Sequence, residues 1–155
     1  MRPIPVMLVA ALAVTGCAAQ AARDPAPPPA ASAAASAAAQ ANLDGTEWRF
    51  VEVNGAAVPK GVNATLRLRG DRASGRTGCN AYGASFEIAA DGSATFGQTM
   101  STKMACMTPA GAMQVERGVL DALQHTARIQ RSGGSLVLLD ASGKPLAKLA
   151  RGGPA

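Results

Sequence analysis

The sequence predicts a mainly β protein, a small antiparallel β-barrel-like domain with one α-helix before the last strands. Three observations carry this expectation. From Leu43 onward, short alternating segments recur between turn signals about every eight to twelve residues, the pattern of an all-β sandwich or barrel. A single segment, ending near Gln124, switches to helical spacing. All five aromatic residues, Trp48, Phe50, Tyr82, Phe86 and Phe96, lie in this same region, so the material for a core is there and not upstream.

Taken in order, Trp48, Phe50, Val51 and Val53 lead into Asn54-Gly55, a strong hairpin dipeptide. Thr65 to Arg69 alternates cleanly and turns at Gly70-Asp71. Tyr82, Ala84, Phe86 and Ile88 alternate before Asp91-Gly92, and Thr95-Phe96 follows. Thr108-Pro109 reads as an N-cap and first helical residue. Beyond it, Met113, Val119, Leu120 and Leu123 recur on one helical face to about Gln124. Gly118 inside that helix costs roughly 1 kcal/mol relative to alanine. Ile129 precedes Gly133-Gly134, Leu136 to Leu139 is a fuller apolar run, Ser142-Gly143 turns, and Leu146 and Leu149 close the domain. Seven or eight strands are expected. A sheet closed or capped by one helix is the simplest way to bury both stripes.

The residues before Leu43 have a different character. Arg2, the apolar stretch Ile4 to Val14 and then small residues make the three-part layout of a secretory signal. No apolar run reaches the roughly 18 residues of a spanning helix. The end of the segment, Val14-Thr15-Gly16-Cys17, resembles the bacterial lipobox, in which the cysteine receives a diacylglycerol and becomes the new N-terminus. The alternative is a plain signal peptide with a chance cysteine. Residues 1–16 are thus expected to be a lipoprotein signal peptide and Cys17 the lipidated residue, holding the protein on a membrane without crossing it. Each buried acyl methylene contributes roughly 0.8 kcal/mol, and more than one chain is needed for stable anchoring. Ala18 after the cysteine points, by resemblance to known lipoproteins, to the outer membrane facing the periplasm.

Residues 17–42 read as a tether. Positions 18–42 hold fourteen Ala, four Pro, two Ser and two charges, Arg23 and Asp24, so they have nothing with which to build a core. Ala30 to Ala41 is either coil or partly helical, since alanine is the best helix former. The folded domain is expected over 43–151. It carries most of the formal net charge of +5: thirteen Lys and Arg against nine Asp and Glu from 43 to 155 give +4.

With Cys17 lipidated, Cys79 and Cys106 remain as an even pair. A compartment beyond the inner membrane is oxidising and permits a disulfide between them. Two reduced thiols packed as small hydrophobes are the alternative.

Around these cysteines lie the most specific motifs. Leu43-Asp44-Gly45-Thr46-x-Trp48 opens the domain, and Gly75-x-x-Gly78-Cys79-Asn80 sits in its middle. Ser101-Thr102-x-Met104-Ala105-Cys106 follows, and Glu116-x-x-Val119-Leu120-x-x-Leu123 falls on the helix. In this order and spacing the chain resembles the META domain, also called HslJ-like, of bacterial envelope lipoproteins. The resemblance implies a barrel-like β fold with one helix and no established enzymatic activity; some members are linked to heat shock or motility. Trp48, Gly78, Asn80, Thr102, Met104 and Glu116 are the family-motif positions. Ala84, where many members have glycine, and Val119, where an aromatic is frequent, depart from the pattern at packing positions.

Residues that bear chemistry are few. His125 is the one histidine, near the helix end where a protonated imidazole suits the dipole, so any triad would have to use it. Cys79 and Cys106 lack the spacing of a zinc site. Met100, Met104, Met107 and Met113 cluster with Cys106; soft thioethers select Cu(I), but in a domain poor in aromatics they are expected to fill core gaps. Glu116 falls on the apolar stripe and reads as a hydrogen-bonding brace to a loop; a lone carboxylate cannot do paired acid/base work. Asn80 reads as a turn residue. Arg67, Arg69, Arg72 and Arg76 form a basic surface without interleaved aromatics, which argues against nucleic acid and leaves a solvated face or contact with anionic headgroups.

The expectation is therefore a non-enzymatic envelope lipoprotein acting in envelope maintenance or stress tolerance, with no cofactor and no catalytic residues. The alternative is a binding module, for a small apolar ligand at the barrel mouth or as inhibitor of a secreted hydrolase, which calls for exposed apolar loops or a cavity.

Overall fold

The computed structural model describes residues 29–152. The signal segment and Cys17 lie outside the described residues. A first helix, α1 (Pro29–Ala41), is followed by β1 (Thr46–Val53), β2 (Ala56–Ala57), β3 (Asn63–Arg69), β4 (Arg72–Gly78), β5 (Ala81–Ile88), β6 (Ala94–Phe96) and β7 (Met100–Ser101). The second helix, α2 (Ala112–His125), precedes β8 (Arg128–Ser132), β9 (Ser135–Leu139) and β10 (Pro145–Arg151). The main path of the antiparallel sheet runs β6-β5-β4-β3-β1-β10-β9-β8, with β2 beside β1 and β7 beside β5. Its two ends meet: the Ala94 N–H donates to the Ala127 carbonyl at 3.0 Å, and the Ile129 N–H to the Gly92 carbonyl at 2.8 Å. The sheet is a nearly closed barrel with one helix before its last strands, as the alternation predicts. The two strands beyond the expected count, β2 and β7, are two-residue pairings too short to leave a periodic signal.

Strand alternation decides what goes inside. In β3, Ala64, Leu66 and Leu68 point in while Asn63, Arg67 and Arg69 point out. In β1, Trp48 and Phe50 are buried, Val51 faces out by the same alternation, and the bulge between Phe50 and Glu52 brings Val53 back to the buried side. Trp48, Phe50, Leu66, Leu136, Leu138 and Leu149 fill the interior, so the barrel is packed and holds no ligand-sized lumen. Gly75 is required here: a Cβ on it would collide with the Thr65 carbonyl, to which the Tyr82 hydroxyl donates at 3.0 Å. The aromatic ring thus crosses the strand where a side chain is missing. Burial raises the Tyr82 hydroxyl pKa above its ordinary value.

Helix α2 packs against β4 and also touches β1, β3, β6, β9 and β10, which places it across one mouth of the barrel. Ala112, Val115, Glu116, Val119, Ala122 and Leu123 are its buried residues, spaced at three and four. The stripe is rotated from the expected one. Met113 and Leu120 flank it, partly buried against the core, because small Ala112 and Ala122 let the helix approach closely. Its N-terminus is corrected too: the N-cap is Gly111, with φ 84°, not Thr108. The left-handed turn at Gly111 is open to glycine at little steric cost. Gly118 has a packing reason, since a Cβ there would sit 2.7 Å from Val53 Cγ1.

The alanine-rich stretch forms a helix in α1. It is fastened at its end by Gln40 Nε2 donating to the Gly70 carbonyl at 2.8 Å and by buried Leu43. No described helix is long and apolar enough to cross a membrane.

Candidate functional site

The corner between β4 and β5 carries Thr77, Gly78, Cys79 and Asn80, and it faces both α2 and the segment 102–111 that leads into it. Gly78, with φ 108°, makes the corner, and a Cβ there would lie 2.7 Å from Val62 Cγ1. Asn80 is fully buried. Its Nδ2 donates to Glu116 Oε2 at 2.8 Å and Oε1 at 3.0 Å, and to the Met104 carbonyl at 3.1 Å. Its Oδ1 accepts from Thr102 Oγ1 at 2.7 Å and from the Met104 N–H at 2.8 Å. Both amide hydrogens and both lone pairs are therefore used. The Met104 N–H, a donor only, fixes which amide atom faces the loop.

Thr77 completes the arrangement. Its Oγ1 accepts from the Asn80 N–H at 3.1 Å and lies 2.9 Å from Glu116 Oε2, to which it donates. Buried Glu116 thus receives neutral donors from both residues, and no cation bridges to it among the described residues. Donors of this kind satisfy a buried carboxylate and make removal of any one expensive. Glu116 is the brace that its place on the stripe led us to expect, and it ties α2 to the β4–β5 corner. Asn80 does more than turn the chain: it links that corner, the helix and the loop at once.

A disulfide fastens the same loop a second time. Cys79 and Cys106 are joined, with Cα atoms 5.8 Å apart and a sequence separation of 27. Closing a loop of that length removes denatured-state entropy equivalent to about 3.5 kcal/mol.

What these bonds hold in place is apolar and faces water. Met100, Met104 and Met107 are 77%, 54% and 90% exposed. The packing expected of the methionines fails for these three; only Met113 is partly buried against the core. Met104 is held through its backbone: its N–H donates to Asn80 Oδ1 and its carbonyl accepts from Asn80 Nδ2, so the contact does not use its side chain.

The other candidates are dispersed. Trp48 is buried, its Nε1 donating to Thr46 Oγ1 at 2.9 Å. His125 sits exposed at the end of α2, its Nδ1 3.1 Å from Asp121 Oδ1, away from the network. Arg67, Arg69, Arg72 and Arg76 are exposed, and Arg67 pairs with Glu47 at 2.9 Å. A groove of about 780 Å³ lies outside the barrel, between α2 and the β1–β2 hairpin; Val53, Ala57, Pro59 and Val115 line it, and Arg117 and Asp121 stand at its rim.

Sequence reasoning missed Thr77, whose signal was its place three residues before Asn80, the spacing at which a hydroxyl caps a turn. It also missed the exposure of Met100, Met104 and Met107, which has no periodic trace.

The META domain family model matches residues 41–152. The chain belongs to the META domain family. Among solved structures, this META domain is similar to the NMR structure of a protein from Burkholderia xenovorans, at 33% identity and a TM-score of 0.58, covering 76% of this chain and 88% of that one. A second NMR structure aligns at 18% identity and a TM-score of 0.58, over 72% of this chain and 92% of the other. A crystal structure of a DUF4847 family protein from Bacteroides vulgatus ATCC 8482 aligns at 11% identity and a TM-score of 0.54, over 76% and 99%. These last two share the fold alone. No protein of curated function matches the META chain in sequence.

Proposed function

We propose that this META protein is a non-enzymatic, lipid-anchored protein of the cell envelope, serving envelope maintenance as a binding module. One observation carries the binding reading: a loop without regular structure is pinned by a buried asparagine and a disulfide while its Met104 and Met107, and Met100 of β7 just before it, face water. Loops held by a rigid scaffold are where binding residues concentrate, and exposed methionine adapts to varied partners. A partner on this loop is favoured over the small apolar ligand expected at the barrel mouth, because α2 covers that mouth and side chains fill the interior. The carboxylate best placed for chemistry, Glu116, is committed to Thr77 and Asn80. The lipobox-like Val14 to Cys17 supports the anchor, with Cys17 acylated and the domain held at the outer membrane, facing the periplasm.

The test has two arms in a strain lacking the protein. Cys17→Ser is expected to move the protein from the membrane to the soluble fraction; retention in the membrane defeats the anchor. Replacing Met100, Met104 and Met107 together by serine is expected to leave the fold intact and abolish rescue of growth under envelope stress. Full rescue by that variant defeats the binding role of the loop.

A further inference from the structure

The methionine loop is flanked by positive charge. From Gly92 to Val115 the only charged side chain is Lys103, exposed between Met100 and Met104. Two neighbouring elements add to it. Arg76 pairs across the sheet with Ala81, both exposed, and Ala81 is bonded to Thr102 twice: its N–H donates to Thr102 Oγ1 at 3.2 Å, and its carbonyl accepts the Thr102 N–H at 3.0 Å. Lys60 lies between Pro59 and Gly61, which pack against the far end of the loop. A Cβ on Gly61 would sit 3.7 Å from Pro109 Cβ, and one on Gly111 would sit 3.2 Å from Pro59 Cγ. The carboxylate beneath, Glu116, is buried and hydrogen-bonded. Met104 and Met107 of the pinned loop, with Met100 of β7 just before it, are thus exposed beside Lys60, Arg76 and Lys103.

We propose that this loop is a membrane-docking surface, taking as its occupant the headgroup and upper acyl region of an anionic phospholipid bilayer. The proposal rests on the binding role given to the loop above and names its partner. The chemistry fits in three respects. Unbranched thioethers can enter the disordered headgroup–acyl boundary without a shaped pocket. The basic residues then meet lipid phosphates, each strengthening binding about fivefold near an anionic surface. No carboxylate in the loop opposes that contact. A Cys17 anchor would make docking intramolecular: the twelve residues 17–28 can span at most about 40 Å, which keeps the local lipid concentration high.

The experiment uses the chain from residue 17 onward carrying Cys17→Ser, so that no acyl chain contributes. Sedimentation is measured with vesicles of phosphatidylglycerol and phosphatidylethanolamine, and with vesicles of phosphatidylcholine, at about 0.1 M salt, where the screening length is about 10 Å. Binding to the anionic vesicles alone is expected. It should fall about tenfold or more in M100S/M104S/M107S and about a hundredfold in K60Q/R76Q/K103Q. All six positions are exposed, so both variants should keep the wild-type melting temperature. Absence of anionic-vesicle binding, or equal binding by the methionine variant, overturns the docking proposal. If the methionine variant still fails to rescue growth in that case, the loop's partner is a protein and the binding role survives. Equal rescue by that variant removes the binding role itself.

Discussion

Asn80 Nδ2 lies 2.8 Å from Glu116 Oε2, although 36 positions separate the two residues in sequence. That one bond joins the β4–β5 corner to the helix across the barrel mouth, and the same amide holds Met104 on its other side. One buried side chain therefore touches three elements distant in sequence.

Replacing Asn80 by alanine leaves the buried Glu116 carboxylate and the partly buried Met104 N–H short of partners. A loss of about 3 kcal/mol or more is expected in urea unfolding. Asn80→Asp should cost more at neutral pH, because two carboxylates would then share one buried site. A loss below about 1 kcal/mol for Asn80→Ala would mean that water takes over the contacts, and that the network is not what fastens the loop.

At Gly118 two effects have opposite sign. Helix propensity favours Gly118→Ala by about 1 kcal/mol. The new methyl group would, however, lie 2.7 Å from Val53 Cγ1, and overpacking costs about 1–3 kcal/mol. The clash should win, giving net destabilisation in a thermal melt. Val53→Ala in the same chain should then recover part of the loss. Stabilisation by Gly118→Ala alone would place the helix further from β1 than the structure has it.

Two exposed turn carboxylates set an acid-side marker. Asp91 and Asp140 are held below the ordinary carboxylate range, in each case chiefly by a serine hydroxyl: Ser93 Oγ and Ser142 Oγ donate to them at 2.6 Å. A carboxyl whose folded pKa is depressed adds stability above its unfolded pKa and loses it as pH falls through the folded value. The contribution of both turns should therefore fade on the acid side of about pH 4. In an NMR titration of the side-chain carboxyls, Ser93→Ala and Ser142→Ala should each move their own aspartate upward. No movement in either variant would remove the hydroxyl as cause.

The legible part of this fold was local. Alternation at Leu66 and Leu68 and the dipeptides Asn54-Gly55 and Asp91-Gly92 placed strands and hairpins, because side-chain period and turn chemistry act over a few residues. The helix was found from Val119 and Leu123, but its face was rotated, since small Ala112 and Ala122 carry little hydropathy while permitting close approach. Its start was misplaced because Thr108-Pro109 has the composition of a cap, whereas left-handed Gly111 makes the turn. At the candidate site, Glu116 stood out as a charge on an apolar stripe. Its partners Thr77 and Asn80 are polar residues in a turn and look ordinary until the barrel closes. Met104 is held by Asn80 through its backbone, a contact over 24 positions that no local pattern records, and the exposure of Met100 and Met107 has no periodic signal either.

The loop of Met104 and Met107 is held rigidly by Asn80 and the disulfide while these side chains face water. Backbone 15N relaxation over residues 102–107 tests it most directly. With Cys79–Cys106 and Asn80 intact, order parameters of about 0.85 are expected, matching the barrel strands, and reduction combined with Asn80→Ala should lower them together. Values below about 0.6 in the intact protein would contradict the claim, because the loop would then be tethered without being held.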